Sequence, residues 1–409
     1  MPLFRALRHR PFALLVAARA ISALGDFVHD VALAWLVLEL TGSAAAMGLV
    51  VTAKVIPALL VLAFGGVLAD RLPKIRTLIA SDALSGAVVI AIAVLVATQA
   101  VGLGHLVLLN VVFGVVAAVF LPTWSAIVPE LVPLEDRSSA NALATLATRV
   151  AGIAGPALGA GLVALGGTAV AFAFDALTFL VSIGLLLLVR APRPAAIDGP
   201  PTTPAPARAS VLADLRSGFR ASIDPPWIAI GIAAAGLTCI TLAGPVDTNV
   251  PLLIERAYGG DVRILGWYGS AMAAGSVVAA IVLGSRAHLR RRWRFVYGPW
   301  VAGSLAAASL GLPIGVPGLL LAAGVIGFGF VGLGLAWVGA LQDHVPPELF
   351  GRVTSLDYLG SGSLLPVGTL VAGVSADAFG PGPVFIAGGL ISAAFLASLT
   401  LLPQVRTMD

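Results

Sequence analysis

Charge is scarce in this sequence. Asp, Glu, Lys and Arg make up 11% of its 409 residues and hydrophobic residues 59%, whereas soluble domains carry about 25% charged and roughly 45–50% apolar residues. Mean hydropathy is +1.01. So few charges cannot screen so much apolar surface from water, and the solvent is read as a lipid bilayer. Cysteine is nearly absent. Cys239 stands alone, which excludes a disulfide framework or a cysteine metal cluster and leaves a small apolar filler in a helix. There is no Gly-x-x-x-x-Gly-Lys-Ser/Thr loop, so the chain is not expected to be an ATP-driven pump on its own. His9, His29, His105, His288 and His344 lack metal-ligand spacing. The glycine-rich stretch 324–334 lies within an apolar run and not in a strand–helix turn, against a dinucleotide site. No enzyme chemistry, metal or cofactor is expected.

What the sequence does have is long apolar runs. A spanning helix needs about 20 mostly apolar residues. Twelve such segments are read, at 11–38, 45–68, 77–99, 104–127, 139–165, 168–189, 226–252, 265–284, 295–313, 317–341, 353–376 and 383–402. The runs show no period-2 alternation, which argues against a membrane barrel. The stretch 1–10 is basic, but the apolar segment after it is too long for a cleavable signal and contains Arg19 and Asp26, so it is expected to stay as the first span.

The formal net charge is +4 and the pI about 9.7. The basic residues sit in short clusters between apolar runs and form no continuous basic face, so no nucleic-acid partner is expected. If both termini are cytoplasmic, nineteen of the 24 Lys and Arg residues fall in inside segments and only Arg256 and Arg263 fall outside. Under the positive-inside rule this orients the chain.

The stretch 190–225 opens with a Pro/Ala/Thr-rich tract that cannot build a core and reads as a linker. Within it, 211–223 spaces Leu212, Leu215, Phe219 and Ser222 around Arg216 and Arg220, as an interfacial helix would. The expected organisation is a first six-helix bundle (1–190), a linker (191–225) and a second bundle (226–409). Val132-Pro133-Leu134-Glu135 recurs as Val345-Pro346-Pro347-Glu348, and Gly48/Gly66 recur at the same separation as Gly266/Gly284. The fold class is therefore all-α integral membrane, with twelve helices in two pseudo-symmetric bundles and a site between them.

Two motifs carry a resemblance. Gly66-Val-Leu-Ala-Asp70-Arg71-Leu-Pro73-Lys74-Ile-Arg76 resembles the Gly-x-x-x-Asp-Arg-x-Gly-basic-basic loop of the major facilitator superfamily, with Pro73 in place of the second glycine. An Asp there suits a helix N-terminus. The resemblance implies that this N-terminus belongs to helix 11 and that the contact holds the outward-open state; a plain basic loop is the alternative. Gly152-Ile-Ala-Gly155-Pro156-Ala-Leu-Gly159-Ala-Gly161 resembles the helix 5 signature of the superfamily's drug–proton antiporters, with Ala160 departing from it. Its small residues permit close packing, with helix 8 (Gly266, Gly269, Ala273, Ser276) as the expected partner; ordinary membrane packing is the alternative. Ser22-Ala-Leu-Gly25-Asp26, Ala140-Asn141-Ala142-Leu143, Phe174-Asp175 and Gly351-Arg352-Val353 resemble the branch holding the enterobactin exporter and the macrolide-efflux proteins.

Ionisable groups inside spans mark functional candidates. Arg19, Ser22, Asp26, His29 and Asp30 recur at helical steps along the first segment and should share one cavity-lining face. Lys54 and Arg149 reach similar depth. Asp26 is the first candidate for proton coupling, followed by Asp30 and His29. Burial and a neighbouring cation act oppositely on a carboxyl's hold on its proton, so a substrate disturbing such a pair would change proton occupancy. A purely structural pair of Asp26 with Lys54 or Arg149 is the alternative. Asp175 fits either a proton pathway or a helix cap, and Asp247 an interface. Asp357 and Asp82 fit the inner surface. Phe120, Trp124 and Trp337 fit a substrate cavity or packing. By resemblance the protein is expected to be a proton-driven exporter of an amphipathic small molecule, monomeric, in a bacterial inner membrane. An importer or lipid-moving member of the fold remains open, as does a non-transporting receptor or scaffold.

Overall fold

The computed structural model describes residues 2–189, 224–284 and 291–408, without the side chains of 2–3, 62–71, 121, 347–348 and 351–352. The linker tract, the helix expected over 211–223 and the side chains of Asp70 and Arg71 lie outside the described residues. No strand occurs among those described.

The spans are α1 (Arg10–Thr41), α2 (Ala44–Arg71), α3 (Lys74–Ala97), α4 (Leu103–Leu131), then Arg137–Leu187. The last is hydrogen-bonded as one helix, yet Gly167 at φ 77° and ψ 176° divides it. Only glycine adopts that geometry freely, and the two parts are α5 (137–166) and α6 (168–187). There follow α7 (Pro226–Ala257), α8 (Val262–Gly284), α9 (Arg292–Ser309) and α10 (Gly315–His344). Helix α11 comes in two pieces, Pro347–Gly362 and Leu365–Phe379, and α12 is Pro381–Leu399. Ten stretches among the described residues are long and apolar enough to cross a membrane. Division at Gly167 and the addition of α9, whose first turn carries Arg292 and Arg294, give the expected twelve.

Local chemistry explains the boundaries. Pro11 sits in the first turn of α1, where its missing N–H costs nothing. Gly42 closes α1 in the left-handed region at φ 59°, its N–H donating to the Leu38 carbonyl at 2.7 Å. Ser43 then caps α2, its hydroxyl accepting from the Ala46 N–H at 3.1 Å. Helix α7 contains a π-helical turn at Cys239–Ala243, and α11 breaks one residue before Leu365-Pro366.

Helix α1 packs along α5, α2 along α4, and α3 against α4 and α6; in the second half α8 packs along α10, and α9 against α10 and α12. Matching contacts repeat between the halves. Gly114 of α4 abuts the Lys54 carbonyl of α2, and Gly327 of α10 abuts the Met272 carbonyl of α8. The outer surface is apolar: Leu108, Leu177, Leu180, Ile281, Leu321 and Val374 are each more than half exposed, as suits side chains facing lipid.

The halves meet through α2 with α11 and α5 with α8. The Thr52 hydroxyl lies 3.1 Å from that of Thr369 and donates to the Pro366 carbonyl at 3.3 Å. Gly266 and Gly269 of α8 abut Pro156, Ala157 and Ala160 of α5. These contacts all lie toward the end of the bundle that carries the Gly42, Gly167 and Gly380 turns. At the opposite end, Arg5–Asp136 and Lys74–Glu130 pair within the first half and Arg292–Asp343 within the second.

Candidate functional site: the charged face of α1

Two cavities adjoin α1 and share Phe27, Asp30 and Thr148 in their walls. The first, about 260 Å³, lies within the first half and is lined by Arg19, Asp26, Lys54, Phe113 and Phe120, among others. The second, about 380 Å³, lies between the halves, with Arg149, Gly152 and Pro156 facing Asp247, Tyr268 and Met272.

Two ion pairs sit on the wall. Arg19 Nη1 donates to Asp26 Oδ2 at 3.1 Å, and its guanidinium lies 5.1 Å from the centre of the Phe120 ring. One turn along, Lys54 Nζ donates to Asp30 Oδ1 at 3.3 Å and lies 5.1 Å from the centre of Phe113. Each cation is thus held between a carboxylate and an aromatic face, which supplies a second attraction. The partner of Asp26 is a residue of its own helix seven positions earlier, neither Lys54 nor Arg149. Arg149 lines the second cavity and makes no ion pair among the described residues.

The expectation that His29 shares the cavity wall is corrected. His29 is 1% exposed, its Nδ1 lies 3.2 Å from Asp175 Oδ2, and Asp175 is fully buried in α6. The two atoms approach without hydrogen-bond alignment. The imidazole stacks on Phe113 and meets Phe172 edge-on, both at 5.2 Å between centres. Asp175 lies within α6 and caps no terminus; it also receives the Thr178 hydroxyl at 3.3 Å. Gly25 of α1 leaves the room that Asp175 and Thr178 occupy. The ionisable row on α1 therefore splits: residues 19, 26 and 30 face the cavity, and 22, 25 and 29 turn into the protein.

Other sequence candidates are distributed as follows. Phe120 lines the first cavity and Trp124 stacks on it at 6.2 Å. Trp337 does not join them. It is 8% exposed, packs edge-on against Trp227 at 5.5 Å, and donates its Nε1–H to Asp357 Oδ2 at 2.9 Å. The helix 5 motif serves two neighbours. Gly152 and Gly155 face Phe27 of α1, Gly159 faces the Val28 backbone, and Gly161 faces open space. The expected partner, α8, does meet the motif: Gly266 and Gly269 abut Pro156, Ala157 and Ala160, and Ala273 lies beside Gly152. Asp82 is buried and receives the Ser182 hydroxyl at 2.6 Å. Of the loop motif, Lys74 pairs with Glu130 and Arg76 is exposed.

A family model described as Major Facilitator Superfamily matches residues 15–365. The chain is 28% identical over 385 residues to the enterobactin exporter EntS of Shigella boydii serotype 18, covering 91% of this chain and 89% of the relative. It is 27% identical, with the same coverage, to EntS of Escherichia coli O81. Among solved structures it superposes on the nucleoside transporter NupG with a TM-score of 0.69 at 14% identity, covering 96% of this chain and 98% of NupG. It also superposes on a bacterial homolog of the human lysosomal transporter Spinster, in an inward-facing and unoccupied conformation, with a TM-score of 0.66 at 15% identity, covering 98% and 96%. Twelve spans in two matched halves and a family match over most of the length place the protein among multi-pass membrane transporters: the chain belongs to the Major Facilitator Superfamily.

Proposed function

We propose that this protein exports an amphipathic small molecule, such as a drug or a siderophore, across a bacterial inner membrane in exchange for protons. The observation that carries the reading is the Arg19–Asp26 pair, 3.1 Å apart and open to a cavity in the membrane-spanning region. Charges at that depth are costly unless they are used. A substrate whose cationic or hydrogen-bond-donating group takes the Asp26 carboxylate displaces Arg19 or a proton from it. A proton arriving on Asp26 from the outer side expels the substrate, so proton and substrate hold the carboxylate in turn. Lys54–Asp30 offers a second step of the same kind.

The halves, 1–190 and 226–409, rock about the cavity while the 191–225 linker tethers them. The arginine-rich segments support cytoplasmic termini. In that orientation the contacts Thr52–Thr369 and Pro156–Gly269 close the outer side. The enterobactin exporters, similar over 91% of the chain, support outward transport. A monomer suffices for this cycle.

Proteoliposomes with an imposed proton gradient test the proposal. Wild type should move substrate against the proton flow. Asp26→Asn should lose gradient-driven transport while keeping its melting temperature and its substrate-for-substrate exchange. Normal gradient-driven efflux by the variant rules out Asp26 as the carrier, and transport in the direction of the proton flow rules out antiport.

A further inference from the structure

Asp377 ends α11 in the second half and reaches the first turn of α2 in the first half. Its Oδ1 accepts the Ala44 backbone N–H at 2.8 Å. Its Oδ2 accepts the Ala45 N–H at 3.1 Å and the Ser43 hydroxyl at 2.5 Å. The first N–H groups of a helix have no partner inside it, and the positive end of the helix dipole favours an anion there. One turn before Asp377, Gly373 lies against the Ala44 carbonyl, and a Cβ on it would stand 2.7 Å from the Ala45 Cα. The glycine brings the helices together and the carboxylate fastens them. The cap joins residues 333 and 334 positions apart, so it belongs to the contact between halves and to neither half alone.

The sequence writes this device twice. Gly66-Val67-Leu68-Ala69-Asp70 closes α2, and Gly373-Val374-Ser375-Ala376-Asp377 closes α11. The two helices run in opposite senses, so the two segments stand at opposite ends of the bundle. Each ends at the level where the other helix begins: α2 begins at Ala44 beside Asp377, and α11 begins at Pro347, at the end of the bundle where α2 finishes.

We infer that Asp377 is a positioning residue of the transport cycle, a latch that holds the halves together at the Gly42 end and must release before the cavity opens there. It fixes the state seen in this structure, complementing at the other end the role that resemblance assigns to Asp70. The inference rests on the alternating-access reading, since a latch matters only if the halves move apart.

Spin labels on the full-length protein in nanodiscs test it. Gln99→Cys and Leu312→Cys, in a Cys239→Ser background, place one exposed label on each half at the Gly42 end. Pulsed dipolar spectroscopy then reads the fraction with that end open. Asp377→Ala should raise the open-to-closed ratio on the order of tenfold, the effect of losing a charge-assisted hydrogen bond. Asp377→Asn, which keeps one acceptor, should raise it less. Ser43→Ala, which leaves both backbone caps, should raise it least and serves if Asp377→Ala fails to fold. An unchanged distance distribution in folded Asp377→Ala, or in Ser43→Ala and Asp377→Asn together, overturns the latch. Transport is read separately in vesicles: a wild type that transports while the variants leave the distances unshifted removes the latch alone. Shifted distances in a protein that moves no substrate against a proton gradient keep the latch and remove the antiport reading.

Discussion

Lys54 stands 3.3 Å from Asp30 and 5.1 Å from the centre of Phe113, while the carbonyl of the same Lys54 abuts Gly114 on α4. Its side chain thus joins α2 to α1 across the cavity, and its backbone lies where α4 comes nearest. Lys54 therefore couples the shape of the cavity wall to its charge.

That coupling gives a charge-pair experiment. Lys54→Met leaves Asp30 unpaired and should lower gradient-driven transport about tenfold or more. Adding Asp30→Asn removes the uncompensated charge and should restore part of the rate. The Lys54 and Asp30 side chains are 32% and 55% exposed, so the pair contributes at most about 1 kcal/mol to stability. Melting temperatures of the three proteins should agree within a few degrees. A double variant no faster than Lys54→Met would show that the pair does not act as a unit.

The buried pair behaves differently. His29 and Asp175 have almost no contact with solvent and are enclosed by Phe113 and Phe172. Removing one member leaves the other's polar atoms buried without a neighbour of their own kind, a loss of about 1–3 kcal/mol in comparable sites. Asp175→Ala and His29→Ala should each lower the melting temperature sharply, and Asp175→Asn should do so less. Thermal unfolding of the detergent-purified protein reads this directly. If His29→Ala melts like wild type and loses transport, the pair belongs to the proton path and not to the scaffold.

The twelve spans were legible in the sequence because membrane helices are written as apolar runs, and the charged row on α1 because polar residues in such runs are rare. Which of those charges faced the cavity was not legible. Steps of three and four draw a stripe about 100° wide; one edge carries Arg19, Asp26 and Asp30, and the other carries Ser22, Gly25 and His29. Only the packing of α6 against Gly25 separates them. Trp337 is ambiguous for a related reason: an aromatic residue in an apolar helix suits a cavity and a core equally, and the Asp357 acceptor that fixes it comes from another helix. The sequence signal for Asp377 is the recurrence of Gly-Val-x-Ala-Asp at 66 and 373.

Trp337 and Phe120 provide a contrast. Trp337→Phe removes the hydrogen bond to Asp357 and should lower stability by about 1–3 kcal/mol while leaving the substrate profile intact. Phe120→Ala opens the cavity wall and frees the face over which Arg19 lies, and should change apparent substrate affinity severalfold with a smaller loss of stability. Transport titrations and melting curves on both variants separate the roles.

The helix 5 glycines test how α1 is seated. A Cβ on Gly159 would lie 2.9 Å from the Val28 Cα and 3.1 Å from its carbonyl oxygen, and these are backbone atoms that cannot turn aside. Gly159→Ala should therefore push α1 from α5 and cost about 1–3 kcal/mol, as overpacking does elsewhere. Gly161, two residues on, has nothing within 4 Å of the same position. Gly161→Ala should be neutral or stabilising by up to about 1 kcal/mol through helix propensity alone. Because α1 carries the Arg19–Asp26 pair and the Asp30 partner of Lys54, Gly159→Ala should also slow transport, and Gly161→Ala should not. Equal melting temperatures for the two variants would mean that the α1–α5 contact gives way without cost, and the charged face would then not be rigidly held.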